Sequence, residues 1–367
     1  MKIKITNLKT IPLVIKLENP IEFSTRFVDK REFTIVQIFT DIGLIGESCV
    51  PIGDPISVAS IIERKLKDLV IGQDPFDYEK IWDKMYREMY RDRKGSAIRA
   101  ISAVDIALWD LKGKALEMPL YKLLGGYRSI VPCYASGGYY YKNKGLEGLA
   151  EEMSMYVDKG HWAMKMKIGA VSVKEDIERV KLARETIGPD RMLLIDANNS
   201  YDSYTAIKFG RFLEEIDAYF FEEPVHPDNL LGSKKVAEAL DIPIASGELE
   251  YTVFGFRELI EKGGVDIIQP DATVLGGITE WLKVAALATA NGIPIAPHWE
   301  QEIHMHLVGA LPNTLWVEYF HDEIGVRHED KLYIETLKPI DGYLHIPDKA
   351  GLGTEFNPEA IKRYRID

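Results

Sequence analysis

The sequence predicts an α/β chain built around a (β/α)8 barrel of the TIM type, with an N-terminal α+β capping domain that the C-terminal segment completes. Three observations lead there. The 367 residues exceed the roughly 250–300 that one hydrophobic core serves, so two domains are expected. The first segments alternate polar and apolar residues with period two, as half-buried strands do. From Val131 onward, short β-like runs alternate with helical patterns, which implies parallel strands, right-handed crossovers and a closed barrel.

In chain order, MKIKITNLKTIPLVIKL and REFTIVQIFTDIGLIGESCV read as antiparallel strands, the second turning at Asp41-Ile42-Gly43. Residues 18–31 between them read as a polar loop carrying Phe23, Ser24, Thr25 and Arg26. The helical patterns VASIIERKLKDLVIG, FDYEKIWDKMYREMYR and RAISAVDIALWDLKGKAL close a first unit over residues 1–125. The barrel is expected over residues 126–335, its eight runs being VPCYASG, AMKMKIG, MLLIDAN, YFFEEP, PIASGE, DIIQPD, PIAPH and LWVEYF. Residues 336–367 read as strands and turns returning to the capping domain. No Pro/Gly/Ser-rich linker separates the two units, so tight packing between them is expected.

Composition excludes several classes. A formal charge of −12 argues against a nucleic-acid binder, whose affinity rests on excess Lys and Arg. The two cysteines, Cys49 and Cys133, lie far apart and form no zinc spacing. No apolar run is long enough for a membrane span, and the first residues lack the apolar core of a signal peptide. A cytoplasmic location is therefore expected.

Barrel chemistry is placed at the C-terminal ends of the strands. Seven consecutive runs end in ionisable residues: Lys165 and Lys167, Asp196, Glu222, Glu248, Asp271, His298 and Glu318. Asp196, Glu222 and Glu248 follow one another at intervals of 26 residues, one βα unit each, so they are expected to converge. Converging carboxylates repel unless a cation neutralises them, and an all-oxygen set favours Mg2+. Each of the three could instead cap the helix that follows it. Lys165 and Lys167 share one face of their strand. With Met164 and Met166 on the other face, an outward lysine would be buried against helices, so both lysines are expected inside the barrel. Desolvation and a neighbouring ammonium lower a lysine's pKa and make it a usable base. His298 follows Asp271 by 27 residues, and a carboxylate beside an imidazole fixes its tautomer and stabilises its charged form. Lys167 and His298 are thus expected on opposite faces of a substrate.

These residues, with the stretches QPDATVLGGITEWLKVA and SAVDIALWDLKGKALEMPLYKLLGG, make the chain similar to the enolase superfamily, specifically its mandelate racemase subgroup, over nearly its whole length. Lys or His bases with Mg2+ are a general property of such sites. The resemblance implies that Mg2+ on Asp196, Glu222 and Glu248 binds a substrate carboxylate and stabilises the enediolate left when the α-proton departs. It implies Lys167 and His298–Asp271 as the two proton-transfer groups, Lys165 as electrostatic support that keeps Lys167 deprotonated, and Glu318 as a hydrogen-bonding electrophile. Asn198 is expected to line the site. Arg26 and Phe23 are expected to reach the substrate tail, and the bulky Trp299 and Glu300 to narrow the pocket. The reaction expected is dehydration of an acid sugar, a hydro-lyase activity. Racemisation or epimerisation and lactone cycloisomerisation share its first half, and a non-catalytic carbohydrate-binding protein on the same fold is the reading from another class. Symmetric assemblies are common among such barrels, so a homo-oligomer is expected, with YRDRKGSAIR as a candidate contact.

Overall fold

Period-two burial builds the first layer of the structure, a computed structural model that describes residues 3–51 and 53–366. Strands β1 (Ile5–Phe23), β2 (Arg26–Thr40) and β3 (Ile45–Pro51) form an antiparallel sheet in that order. Gly43, at φ 81°, makes the turn expected at Asp41–Gly43. Met1 and Lys2 of the predicted first strand, and Asp367 at the other end, lie outside the described residues. The polar loop expected over residues 18–31 is instead a continuation of the hairpin. Ile21, Glu22 and Phe23 pair with Val28, Phe27 and Arg26, leaving only Ser24 and Thr25 in the turn. Polar composition suggested a loop because the strands here project past their own sheet. Their backbone is satisfied by each other and by a bridge between Glu22 and Tyr140 at the barrel mouth.

Helix Ser96–Ala115 joins the two domains. It is apolar on nearly every side, which in a soluble protein means burial all round. One side packs on β3, where Ser48 Oγ donates to Ala103 O at 2.7 Å and Gly46 leaves no room for a Cβ against Ala107. The other side packs on barrel helix Gly277–Ala290, where Asp105 accepts from the backbone N–H of Thr279 at 2.9 Å and its hydroxyl at 2.6 Å. Gly277 sits at φ 90° with its missing Cβ directed at Asp105, so only glycine permits this approach. One apolar cluster runs through the seam, from Ile5, Leu8 and Ile38 to Ile278, Trp281 and Leu307.

The barrel strands are β4 (Ile130–Gly137), β5 (Ala163–Lys167), β6 (Met192–Asp196), β7 (Phe220–Glu222), β8 (Ile244–Ser246), β9 (Ile267–Ile268) and β10 (Val317–Tyr319). They pair in parallel and in sequence, and β10 returns to β4. The predicted strand PIAPH is reduced to Ile295, which bridges Ile268 on one side and Thr314 on the other. Pro294 and Pro297 flank it, and prolines cannot donate to a ladder. The C-terminal segment divides between the domains. Strand β11 (Tyr343–His345) pairs antiparallel with β4 of the barrel, while helix Pro358–Tyr364 packs on the capping sheet beside β1. That helix stands where strands and turns were expected, although Asn357 as its N-cap and Pro358 at its first position are readable start signals. Among the described residues, no helix is long and apolar enough to cross a membrane.

The Asp105 contact gives a stability test. Replacing Asp105 by Ala strands the buried Thr279 N–H without an acceptor, and urea denaturation should show a loss of about 1–3 kcal/mol. Asn, which keeps one acceptor oxygen, should lose less.

Candidate metal and proton-transfer site

The barrel interior orients the lysines. Met164 and Met166 of β5 pack outward among Leu149, Met153, Val180 and Ala183 of the surrounding helices, so Lys165 and Lys167 face the axis. Lys165 is fully buried, with its Nζ 2.9 and 3.0 Å from the two oxygens of Glu222, 2.7 Å from Glu318 and 3.6 Å from Asp196. Burial would drive such a lysine toward its neutral form. The surrounding carboxylates, Glu222 and Glu318 foremost, outweigh that and hold it protonated well above the usual range. Lys165 is thus a fixed positive charge beneath the site.

Asp196, Glu222 and Glu248 end adjacent strand units, and each offers an oxygen within 4.8 Å of the others. None of them caps a helix. The helices that follow are capped by Asp202 and Asn229 or have no side-chain cap, so the capping alternative for these three falls away. Burial and the nearby Asp196 push Glu222 up to about 8, so this carboxylate holds a proton that an ion would displace. One oxygen of Glu248 is buried without a hydrogen-bond partner. Three converging hard oxygens, one of them orphaned, fit Mg2+, which accepts few protein carboxylates at about 2.0–2.1 Å.

Lys167 and His298 stand at the two ends of this triad. Lys167 Nζ contacts Asp196, and His298 Nε2 lies 3.4 Å from Glu248. Its Nδ1 lies 3.0 Å from Asp271, whose other oxygen accepts from Thr273 N and Oγ1 at 2.7 Å. Asp271 therefore caps helix Ala272–Leu275 and orients the imidazole at once. Burial opposes the charge on His298, but Glu248 and Asp271 prevail and raise its pKa to about 9. The expectation of a depressed Lys167 pKa is corrected. Burial and Lys165 do pull it down, but contact with Asp196 dominates and holds the ammonium above its ordinary range.

Glu318 also differs from expectation. Burial notwithstanding, Lys165 and His298 hold it well below the usual carboxylate range. Its oxygens accept from Ser136 Oγ at 2.7 Å and Trp299 N at 2.8 Å. An ionised Glu318 with both oxygens engaged cannot donate a hydrogen bond, so in this state it anchors Lys165 rather than acting as an electrophile.

A cavity of about 190 Å³ opens over the triad, lined at its floor by Lys167, Asn198, Glu248 and His298 and above by Phe23, Arg26, Tyr139 and Trp299. Asn198 presents a buried, unpartnered Oδ1. Phe23 meets Tyr139 edge-on at 5.5 Å, and Lys167 Nζ lies 5.9 Å from the Phe23 ring. Arg26 lines the same space but is exposed. Trp299 packs on Phe320 and narrows the cavity, whereas Glu300 turns away and is buried beside Glu329 and Arg327. Asn198, two residues after Asp196, and Glu223 and Trp299, next after Glu222 and His298, have φ of 38°, 41° and 65°. Such left-handed non-glycine residues carry strain that clusters at functional sites, and here they turn the chain sharply off the strand tips. A larger cleft of about 880 Å³ beside the hairpin is lined by Lys142, Lys144, Glu147, Glu151, Glu152 and Glu323, but none of these belongs to a converging metal-ligand set among the described residues. Sequence reading missed Tyr139, Ser136, Arg31 and Arg99. Ser136 does lie at the end of β4, in register with Lys165, but as an uncharged residue it gave no signal, Tyr139 follows that strand, and the two arginines come from the capping domain.

With this geometry in view, comparison with known proteins is direct. Residues 5–125 match the mandelate racemase / muconate lactonizing enzyme N-terminal domain, and residues 148–360 match the enolase C-terminal domain-like family. The arabinonate dehydratase of Saccharolobus solfataricus is 39% identical over 341 residues, 91% of either chain. The L-talarate/galactarate dehydratase of Salmonella typhimurium is 36% identical over 81% of this chain and 73% of its own. A solved racemase from Streptomyces coelicolor A3(2) with bound magnesium superimposes with a TM-score of 0.92 at 32% identity, covering 99% of this chain and 100% of its own. The chain belongs to the mandelate racemase/muconate lactonizing enzyme family of the enolase superfamily. It is an enzyme of that family with a buried Mg2+ ligand triad.

Two measurements test the site. Mg2+ affinity by calorimetry should fall at least about 10-fold in each of Asp196→Asn, Glu222→Gln and Glu248→Gln, since metal affinity depends on deprotonated ligands. In the native chain the affinity should weaken as pH drops below about 8, because the ion must then displace the Glu222 proton. An affinity independent of pH between 6 and 8 would contradict this.

Proposed function

We propose that the protein is an acid-sugar dehydratase, removing the proton α to a carboxylate and expelling the β-hydroxyl. The observation that carries this reading is the placement of a proton-transfer group at each end of one carboxylate triad, Lys167 beside Asp196 and His298 beside Glu248, both facing one cavity. A divalent ion on the triad supplies Lewis-acid stabilisation of the negative charge that develops on the substrate carboxylate.

The chain's own residues supply the rest. Lys167 accepts the α-proton once its pairing with Asp196 is relieved. Lys165, locked in place by Glu222 and Glu318, adds the neighbouring positive charge that favours a neutral Lys167. His298, with a pKa near 9, is an imidazolium at neutral pH and can hand a proton to the departing hydroxyl. The C–H pair becomes the new double bond, the C–O bond breaks, and water leaves with the His298 proton. The enol product then tautomerises to a 2-keto-3-deoxy acid. The dehydratases among the relatives support the reading.

Incubation of aldonates and aldarates with the protein and Mg2+ in heavy water should give a keto acid from at least one of them. Return of α-deuterated or epimerised substrate without keto acid would assign a racemase instead. No exchange with any acid sugar would defeat the proposal. Lys167→Ala and His298→Asn should each lower kcat by about 100- to 10,000-fold. A nuclear magnetic resonance titration of His298 in the metal-free protein should show a midpoint near 9. Because Asp271 and Glu248 raise that value, Asp271→Asn and added Mg2+ should each move the midpoint to lower pH. The charged form is held below the midpoint and lost above it.

A further inference from the structure

We propose that the cavity has a second anion-binding pole, formed by Arg99 and Arg31 of the capping domain, and that the substrate is an acid sugar carrying a carboxylate at both ends. The inference rests on the acid-sugar reading above and deepens it.

Both arginines line the cavity that holds Lys167, Glu248 and His298 at its floor. Arg99, in the first turns of helix Ser96–Ala115, is only 6% exposed, and its Nη1 is buried without a hydrogen-bond partner. Arg31, on β2, donates through Nε to Val326 O at 2.7 Å and lies 4.9 Å from the Trp299 ring centre. Its Nη2 is likewise buried and unpartnered. A guanidinium carries five donors and keeps its charge, so burying one without an anion is costly.

Elsewhere the chain meets that cost. Arg327, equally buried, is held by Glu302 at 2.6 Å and by Glu329, with Glu300 at 3.9 Å. Arg179 also has a buried Nε without a hydrogen-bond partner, but Asp176 lies 3.7 Å from it and Nη2 donates to Gly138 O at 2.7 Å. Among the described residues, two carboxylates line the cavity. Glu32 is paired with Lys30 at 2.8 Å, and Glu248 belongs to the triad. Arg99 and Arg31 therefore face the substrate space with open donors and, among the described residues, no carboxylate in salt-bridge contact. Carboxylate and guanidinium match as a fork of parallel hydrogen bonds, and a substrate held at its first carboxylate by the triad would bring its second one here. A terminal phosphate has the same chemistry, so the test separates the two.

The experiment compares the Mg2+-loaded enzyme on aldonates, aldarates and terminally phosphorylated aldonates of matched length and stereochemistry. An aldarate should exceed its matched aldonate in kcat/KM by about 10- to 100-fold, the value of a charge-assisted hydrogen bond to a buried group. Arg99→Met should cost the aldarate about tenfold more than the aldonate, mainly through KM, and Arg99→Lys should recover part of the difference. Arg31→Met should act in the same direction, with thermal unfolding establishing that each variant is folded. Aldonates that match or exceed aldarates, or an Arg99 change that costs both equally, would overturn the second pole while leaving the dehydratase reading intact. Preference for the phosphorylated aldonate with the same Arg99 dependence would assign the pole to phosphate and overturn the dicarboxylate. Absence of α-proton exchange on every acid sugar would remove the underlying reading, and this inference with it.

Discussion

Burial of opposing charges in the barrel interior is the constraint on which the rest of this structure depends. Asp196, Glu222, Glu248, Asp271 and Glu318 bring five carboxylates together, and Lys165, Lys167 and a protonated His298 bring three cations. The carboxylates outnumber the cations, and Glu223, buried beside Glu248, adds to the excess that a divalent ion would offset. A proton on Glu222 eases part of that excess, and the contact of Lys167 with Asp196 places one of the cations where the carboxylates converge. The ion therefore does more than polarise a substrate. Bound to Asp196, it would compete with Lys167 for that carboxylate and so relieve the pairing that holds this lysine charged. Lys165 makes the arrangement stable in either condition, because its contacts with Glu222 and Glu318 tie strands on both sides of β5 to one buried point.

How much of this was readable from the chain follows from where each signal lies. The triad was legible because one βα unit recurs at nearly constant length, so residues 26 apart in sequence sit side by side at the rim. The inward lysines were legible because their methionine neighbours had to face the outer helices. The state of those lysines was not, since it depends on Asp196 reaching across from the next strand. Only the tip of the N-terminal hairpin hid behind polar residues, for strands that project beyond a sheet lose the apolar alternation by which strands are read. The seventh barrel position was read as a full strand, whereas its prolines leave only the bridges of Ile295, and the C-terminal helix hid behind the expectation of strands. Arg31 and Arg99 carry no local signal at all. Their meaning comes from the packing of the capping domain over the barrel.

That packing makes the two domains one functional object. Helix Ser96–Ala115 presents one side to the capping sheet and another to barrel helix Gly277–Ala290, with Asp105 and Gly277 in close apposition. The same helix carries Arg99 into the cavity. Shifts at the seam are thereby coupled to the space above the triad, and chemistry at the floor is joined to selection at the roof through a single rigid element.

The roof itself is a paired hairpin, and pairing imposes a parity on it. Phe23 pairs with Arg26 and Ile21 with Val28, so these side chains share one face of the ribbon, while Glu22 and Phe27 share the other. Below this tip the register already shifts, from Lys16 opposite Lys30 to Ile21 opposite Val28. Such an irregularity can absorb a change of length without turning Phe23 away from Tyr139, a freedom that the regular pairing below it lacks.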